Sequence, residues 1–287
     1  HHPLMDDLSD YLGTITQRPV HGQITAFATA LAQSHPGTVA VLAYGSALRD
    51  SSPAETLIDF YVLVDESAHL SGNALILFLG DRIPPNVHYA ERDFDGVTLR
   101  SKYAVITAAR FARLASADTR NPYIWARFAQ PSRIVWTTSE LARGDVLESL
   151  ATAVRTAYRH GLYLSPQQPW QGLFENTYRT ELRPEGRSRA ALIVAADADY
   201  YADLGRLLAA SAPLVSSWRA KRVLGKLWSL ARLAKAAFTF QGGADYAAWK
   251  IERHAGVKIT VTPWQRRHPF LAGVLLLPKL LSRKGLK

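Results

Sequence analysis

Cysteine is absent from all 287 residues, and methionine occurs once, at Met5. The first absence excludes disulfides, thiolate nucleophiles and zinc–thiolate sites, and it permits a reducing compartment without requiring one. The nine histidines are scattered, and no two of them fall in an HExxH pair, so a metal site of that kind is excluded. Long apolar runs are also missing. The longest near the C-terminus is Phe270 to Pro278, closed by Lys279, far short of the roughly 20 residues that a simple spanning helix needs. No signal peptide is expected, because the opening is acidic (Asp6, Asp7, Asp10) rather than basic. His1 and His2 read as the remnant of a tag, so residues 1–4 are set aside from fold reasoning. What is present suffices for a globular core: 48% apolar residues, 10% aromatic and 20% charged argue against disorder.

Acids are scarce in one part of the chain only. From Val215 to Lys287 there are fifteen Lys or Arg against two acids, Asp245 and Glu252, a balance of +13 that leaves −3 of the overall +10 for residues 1–214. An asymmetry of that size points to an anionic partner for the C-terminal part, either nucleic acid or anionic lipid. The cations there interleave with large aliphatics at helical spacing: Trp218, Leu224, Leu227, Trp228, Leu230 and Leu233 stand among Arg219, Lys221, Arg222, Lys226, Arg232 and Lys235. The closing run Phe270–Pro278 lies between Arg266-Arg267 and Lys279, Arg283, Lys284. Apolar residues between clusters of cations are the pattern of an interfacial anchor that lies on a membrane without crossing it. Nucleic acid would not need the aliphatics, so it is not expected as a partner.

Periodicity predicts a helix over about residues 7–35, with Ile24, Phe27, Ala28 and Leu31 on one face. A buried strand follows at Val39–Ala43, a turn at Tyr44-Gly45-Ser46, and a polar loop over 47–56. Leu57–Val64 is a second strand and Val97–Ile106 a third; 108–117 and 119–129 are helical, and Arg133–Thr137 is a short strand. Residues 141–212 read as mostly helical, broken near Ser165–Pro169 and Arg183–Gly186. The expected organisation is α+β. A mixed sheet with flanking helices fills 5–140, a helical domain follows over 141–212, and a basic amphipathic region occupies 213–287.

The chemistry concentrates where a strand ends in Tyr44-Gly45-Ser46 and a second strand carries Ile58-Asp59-Phe60-Tyr61-Val62. Glycine lets the backbone turn sharply and approach a polyphosphate, and a serine hydroxyl with backbone N–H groups can cradle its oxygens. An acid on the next strand can hold Mg²⁺ against those oxygens. This arrangement resembles the polymerase-β-type nucleotidyltransferase superfamily. That superfamily usually places a second acid two residues after the first; here the position is Tyr61. Asp65 shares Asp59's strand face, but six residues away is roughly 20 Å, too far to share one metal.

The departure brings the sequence closer to a narrower family, the mitochondrial-type phosphatidate cytidylyltransferases, which it resembles in several short segments in the same order. These are Tyr44-Gly45-Ser46 with Asp59-Phe60, Pro85–Tyr89, Arg100–Ile106, Tyr123–Pro131, Tyr178–Arg183 and Lys235–Thr239. The likeness spans about residues 40–240, and nothing aligns beyond it. It implies CTP and phosphatidate, or a related lipid phosphate, as substrates and Mg²⁺ as cofactor. It also implies a peripheral, intracellular location on an anionic membrane, on the cytoplasmic face of a bacterial inner membrane or on the mitochondrial inner membrane. Carried over residue by residue, it implies Asp59, Lys102 and Lys235 as catalytic and Tyr44, Gly45, Ser46 and Arg127 as nucleotide contacts. Arg183, Lys235 and Thr239 would touch the lipid phosphate, with Asp59 and Glu181 as metal ligands. Such a reaction needs no general base, because a phosphate monoester with a second pKa near 6 is already ionised at neutral pH. A relative acting on another lipid phosphate, or one that has lost catalysis and only binds membrane or nucleic acid, are the competing expectations.

Overall fold

The computed structural model describes residues 3–49, 52–65, 86–117, 122–180, 187–224, 227, 244, 245, 248, 249, 252, 258 and 260–268. Two helices open the chain, α1 (Pro3–Thr16) and α2 (Gly22–Ser34). They replace the single helix expected over 7–35. Pro19 lacks an N–H and pushes Arg18 away from the helical region, so the chain breaks between them. Residues 3 and 4, set aside as outside the fold, are the first of α1.

Strands β1 (Thr38–Tyr44), β2 (Leu57–Val64), β3 (Asn86–Phe94), β4 (Val97–Thr107) and β5 (Ser132–Thr137) form one sheet in the order β3-β4-β2-β1-β5. The β2–β4 pair is parallel and the other three pairs are antiparallel. Four of the five strands, β1, β2, β4 and β5, fall where the sequence put them. β3 is not among the strands that apolar runs predict: its sequence NVHYAERDF is polar, as an edge strand's can be. A two-residue turn joins it to β4. Asp95 and Gly96 both have positive φ, 51° and 78°, the signature of a type I′ hairpin.

Each face of the sheet has its own core. On one face Val41, Ala43, Phe60, Val62 and Val105 pack against Ile24, Phe27, Ala28 and Leu31 of α2. On the other, Leu42, Tyr44, Tyr61, Leu63 and Ile106 face helices that follow in the chain. These are α3 (Ala108–Ala115), α4 (Tyr123–Phe128) and the 25-residue α5 (Glu140–Leu164). The α5 helix starts at Ser139, whose side chain accepts a hydrogen bond from the Ala142 N–H. α6 (Pro169–Thr180), α7 (Arg187–Ala196) and α8 (Ala198–Leu207) extend the same core, and a helical stretch at 218–224 closes it with Trp218. The break expected near Ser165–Pro169 is the α5–α6 connection; the one expected at Arg183–Gly186 lies outside the described residues. A short helix α9 (Pro263–Arg267) stands nearest the C-terminus among the described elements. The architecture is thus α+β, a five-stranded mixed sheet with flanking helices and a helical remainder. No described helix is long and apolar enough to cross a membrane.

Candidate functional site

β1 ends in a glycine for two separate reasons. Gly45 has φ +86° and ψ −162°, a conformation that side chains with a β-carbon rarely adopt. A β-carbon built there would also lie 3.1 Å from Oδ2 of Asp59. The turn continues as a single 3₁₀ turn, Ser46–Leu48, with Ser46 exposed at its start. A carboxylate therefore packs directly against the turn, and any larger residue at 45 would push it away.

Register does the rest. Tyr44 is paired with Asp59 across β1–β2, Asp59 with Lys102 across β2–β4, and Lys102 with Tyr89 across β4–β3. Directly paired side chains lie about 5 Å apart at Cβ and share a face. One row across the sheet thus reads Tyr44, Asp59, Lys102, Tyr89, and the two charged members are half-buried. The row lies on the same sheet face as Tyr61 and Ala104, the face against which α3 to α5 pack.

Arg127 comes to this row from α4. Its Cζ sits 4.8 Å from the ring centroid of Tyr44 and 4.8 Å from that of Tyr123. The guanidinium is held by two phenol faces, one from the sheet and one from its own helix, each worth about 0.5–1 kcal/mol or more once desolvated. Burial disfavours its charge, but the phenols of Tyr123, Tyr44 and Tyr61 and the Asp59 carboxylate outweigh burial and hold its pKa well above the usual value. Its Nε is buried and makes no hydrogen bond among the described residues. The Tyr44 hydroxyl is pushed up by burial and, further, by Asp59 and Tyr123 against the opposing pull of Arg127, so it stays a neutral phenol. Tyr44, Tyr61, Lys102 and Tyr123 line a cavity of about 30 Å³ beside the row, room for about one water.

Tyr61, at the position where a second acid would stand, is 1% exposed. Its ring centroid is 5.1 Å from Phe128, 5.6 Å from Tyr44 and 6.3 Å from Phe111. A carboxylate in that aromatic pack would be desolvated. Asp65 lies beyond the far end of β2, exposed, and helps line a separate cavity of about 470 Å³ with Phe111, Asp145 and Glu148. It is not part of the Asp59 row. Among the described residues no group of three His, Asp or Glu side chains is arranged to hold a metal. A single carboxylate suits Mg²⁺ only when substrate phosphates and water complete the octahedron. Asp59, half-buried against the Gly45 turn, could supply that one carboxylate.

Of the sequence-derived candidates, Tyr44, Gly45, Asp59, Lys102 and Arg127 come together at this row, with Ser46 on its rim. Glu181, Arg183, Lys235 and Thr239 lie outside the described residues. Tyr123, which holds Arg127 from its own helix, is not among the sequence-derived candidates. Its signal was available: an aromatic four residues before Arg127 on one helix places the two in contact.

No protein-family model and no curated protein matches the chain. Among solved structures it is similar to the crystal structure of a nucleotidyltransferase-like protein from Exiguobacterium sibiricum 255-15. The match has 12% sequence identity, covers 92% of this chain and 91% of that one, and has a TM-score of 0.28. At that score the likeness assigns no role to any residue.

Proposed function

We propose that this chain is a nucleotidyltransferase and, more specifically, a phosphatidate cytidylyltransferase that makes CDP-diacylglycerol and pyrophosphate from CTP and phosphatidate. The observation that carries the reading is the Gly45–Asp59 contact with Lys102 in register beside it and Arg127 stacked on Tyr44. One carboxylate, two cations and a turn open to a close approach form a site for a polyphosphate. They do not form a site for acyl transfer or redox chemistry.

The reaction forms a bond from a phosphate oxygen of the lipid to the α-phosphorus of CTP. It breaks the bond from that phosphorus to the bridging oxygen, and the electron pair leaves with pyrophosphate. No proton need be removed from the attacking group. Lys102 and Arg127 lower the repulsion between two anions and stabilise charge as it moves to the leaving group. Gly45 and Ser46 seat the triphosphate. Asp59 would hold Mg²⁺, which supplies Lewis-acid stabilisation of the phosphate oxygens.

Support for a lipid acceptor comes from the C-terminal charge balance and from the helical stretch at 218–224. Trp218 is buried there, while Arg219, Ala220 and Val223 are exposed, and Leu227 beyond it is 57% exposed. Cations beside uncovered aliphatics suit the surface of an anionic bilayer. The test is pyrophosphate release from each of the four nucleoside triphosphates, with and without phosphatidate vesicles and Mg²⁺. Release that requires CTP, phosphatidate and Mg²⁺ together is expected. Release unchanged by leaving out phosphatidate ends the lipid assignment, and no release with any pair of substrates favours a binding relative that has lost catalysis.

A further inference from the structure

Two residues before Lys102 on β4, and on the same face of the sheet, stands Arg100. Its partner across the β3–β4 ladder is Glu91, as Tyr89 is the partner of Lys102. Arg100 Nε lies 3.4 Å from Glu91 Oε1, and the Tyr89 hydroxyl donates to the same oxygen at 2.7 Å. This second rung is the floor of a cleft of about 360 Å³. The far wall comes from the C-terminal part of the chain and includes Asp245, Trp249, Glu252, Lys258 and Arg266. The cleft therefore opens one rung, about 7 Å along the strand, from the Asp59–Lys102 row.

Among the described residues its charges balance: three carboxylates (Glu91, Asp245, Glu252) face three cations (Arg100, Lys258, Arg266). Two pairs are already made: Arg100 with Glu91, and Arg266 Nε with both oxygens of Asp245 at 3.0 and 3.2 Å. An anion entering here would have to displace a carboxylate from each guanidinium, and a cation would have to do the reverse. A neutral hydroxylated group does neither. Its O–H groups donate to the carboxylates while its oxygens accept from the guanidinium N–H groups, so both pairs stay intact. Trp249 adds an apolar wall, fixed by Arg100 with its Cζ 5.7 Å from the ring centroid, against which the C–H face of a sugar ring packs.

We propose that this cleft is the subsite for the ribose of the nucleotide, its two vicinal hydroxyls lying between the Arg100–Glu91 and Arg266–Asp245 pairs. The assignment rests on the nucleotidyltransferase reading for its ligand. With the reacting phosphate at the Asp59–Lys102 row, one rung of the sheet is the span from an α-phosphate to the diol of its own ribose. A second phosphate-bearing substrate would instead meet as much negative charge here as positive.

The test uses nucleosides, which carry no phosphate and so do not depend on Asp59 or on turnover. Saturation-transfer NMR on the full chain compares cytidine with 2′,3′-dideoxycytidine. Transfer to the ribose protons of cytidine is expected, with binding about fivefold or more weaker for the dideoxy compound, the value of one or two lost hydrogen bonds. Glu91→Gln on the floor and Asp245→Asn on the far wall each bring cytidine down to the dideoxy level, and Asp59→Asn leaves the discrimination unchanged. Equal binding of the two nucleosides, absence of binding by either, or unchanged discrimination in both cleft variants with melting temperatures like the parent's overturns the subsite. Clear discrimination in a protein that releases no pyrophosphate from any substrate pair upholds the subsite and overturns the transferase reading.

Discussion

The carboxylate Oδ2 of Asp59 lies 3.1 Å from the point where a β-carbon on residue 45 would sit. The glycine turn and the acid are therefore one unit, and Gly45→Ala tests it. The substitution forces a β-carbon into a positive-φ conformation, a cost of about 1–3 kcal/mol, and displaces the carboxylate. Denaturant unfolding should register that loss, and nucleotide turnover should fall by more than the stability change explains. A fully active Gly45→Ala protein would separate the turn from the site.

Asp59→Asn keeps the size of the side chain and removes its charge. Melting should stay within a few degrees of the parent, while the rate of pyrophosphate release drops by several kcal/mol of barrier, about a thousandfold or more. Activity within tenfold of the parent excludes Asp59 as a metal ligand.

Arg127→Lys is the informative change on α4. Lysine keeps the charge but loses the planar group that lies on Tyr44 and Tyr123 and the fork that can grip two phosphate oxygens. Nucleotide affinity should weaken about tenfold or more, with a stability loss of about 1 kcal/mol. Titration calorimetry with a nucleoside triphosphate reads the first and thermal unfolding the second. Equal affinity in the two proteins would make the stack purely structural.

His160 gives the fold a pH dependence separate from the site. It is 1% exposed and stacked on Trp125, with ring centroids 4.6 Å apart and planes at 16°, and Trp218 meets it edge-on. Burial, then Lys221 and Arg159, lower its pKa to about 4 from 6.5. The unfolded chain therefore binds a proton between those two values that the folded chain refuses. Stability is full above the unfolded value and falls as pH drops from 6.5 toward 4. Between pH 7 and pH 5 the loss should be about 2 kcal/mol, and His160→Phe should remove most of that slope. Urea unfolding of both proteins at the two pH values measures it, and identical slopes would exclude His160 as the source.

The exposed aliphatics near the basic helix support a membrane prediction. Val223→Asp with Leu227→Asp should weaken flotation with anionic vesicles, and added salt should weaken the parent's binding in part, since only the cationic share is screened. Turnover on a short-chain, detergent-dispersed acceptor should be retained. Undiminished flotation of the double variant would place the contact elsewhere in the chain, for instance in the 270–278 run.

Much of the sheet was legible because its central strands are buried on both faces and read as continuous apolar runs. Val39–Ala43 and Leu57–Val64 are short apolar runs bounded by turn residues, which favours buried strands over helices. β3 was not, because an edge strand with alternating polar residues carries a weak pattern; the Asp95-Gly96 pair that closes its hairpin was the signal to follow. The helix expected over 7–35 failed at Pro19, a local rule that periodicity alone does not weigh.

The site divides in the same way. By itself the sequence determined the groups present: a strand ending in Gly45-Ser46, one acid at Asp59, a tyrosine where a second acid would stand, and a basic C-terminal part. These are properties of residue type and local spacing, which a chain carries before it folds. Only the tertiary structure decided that Lys102 stands in register with Asp59, that Arg127 reaches across to lie on Tyr44, and that Arg100 and Glu91 form the next rung toward the C-terminal wall. Strand register and the docking of a helix on a sheet are set by how the whole core packs. A shift of one residue would turn Asp59 and Lys102 to opposite faces with no change in composition or motif.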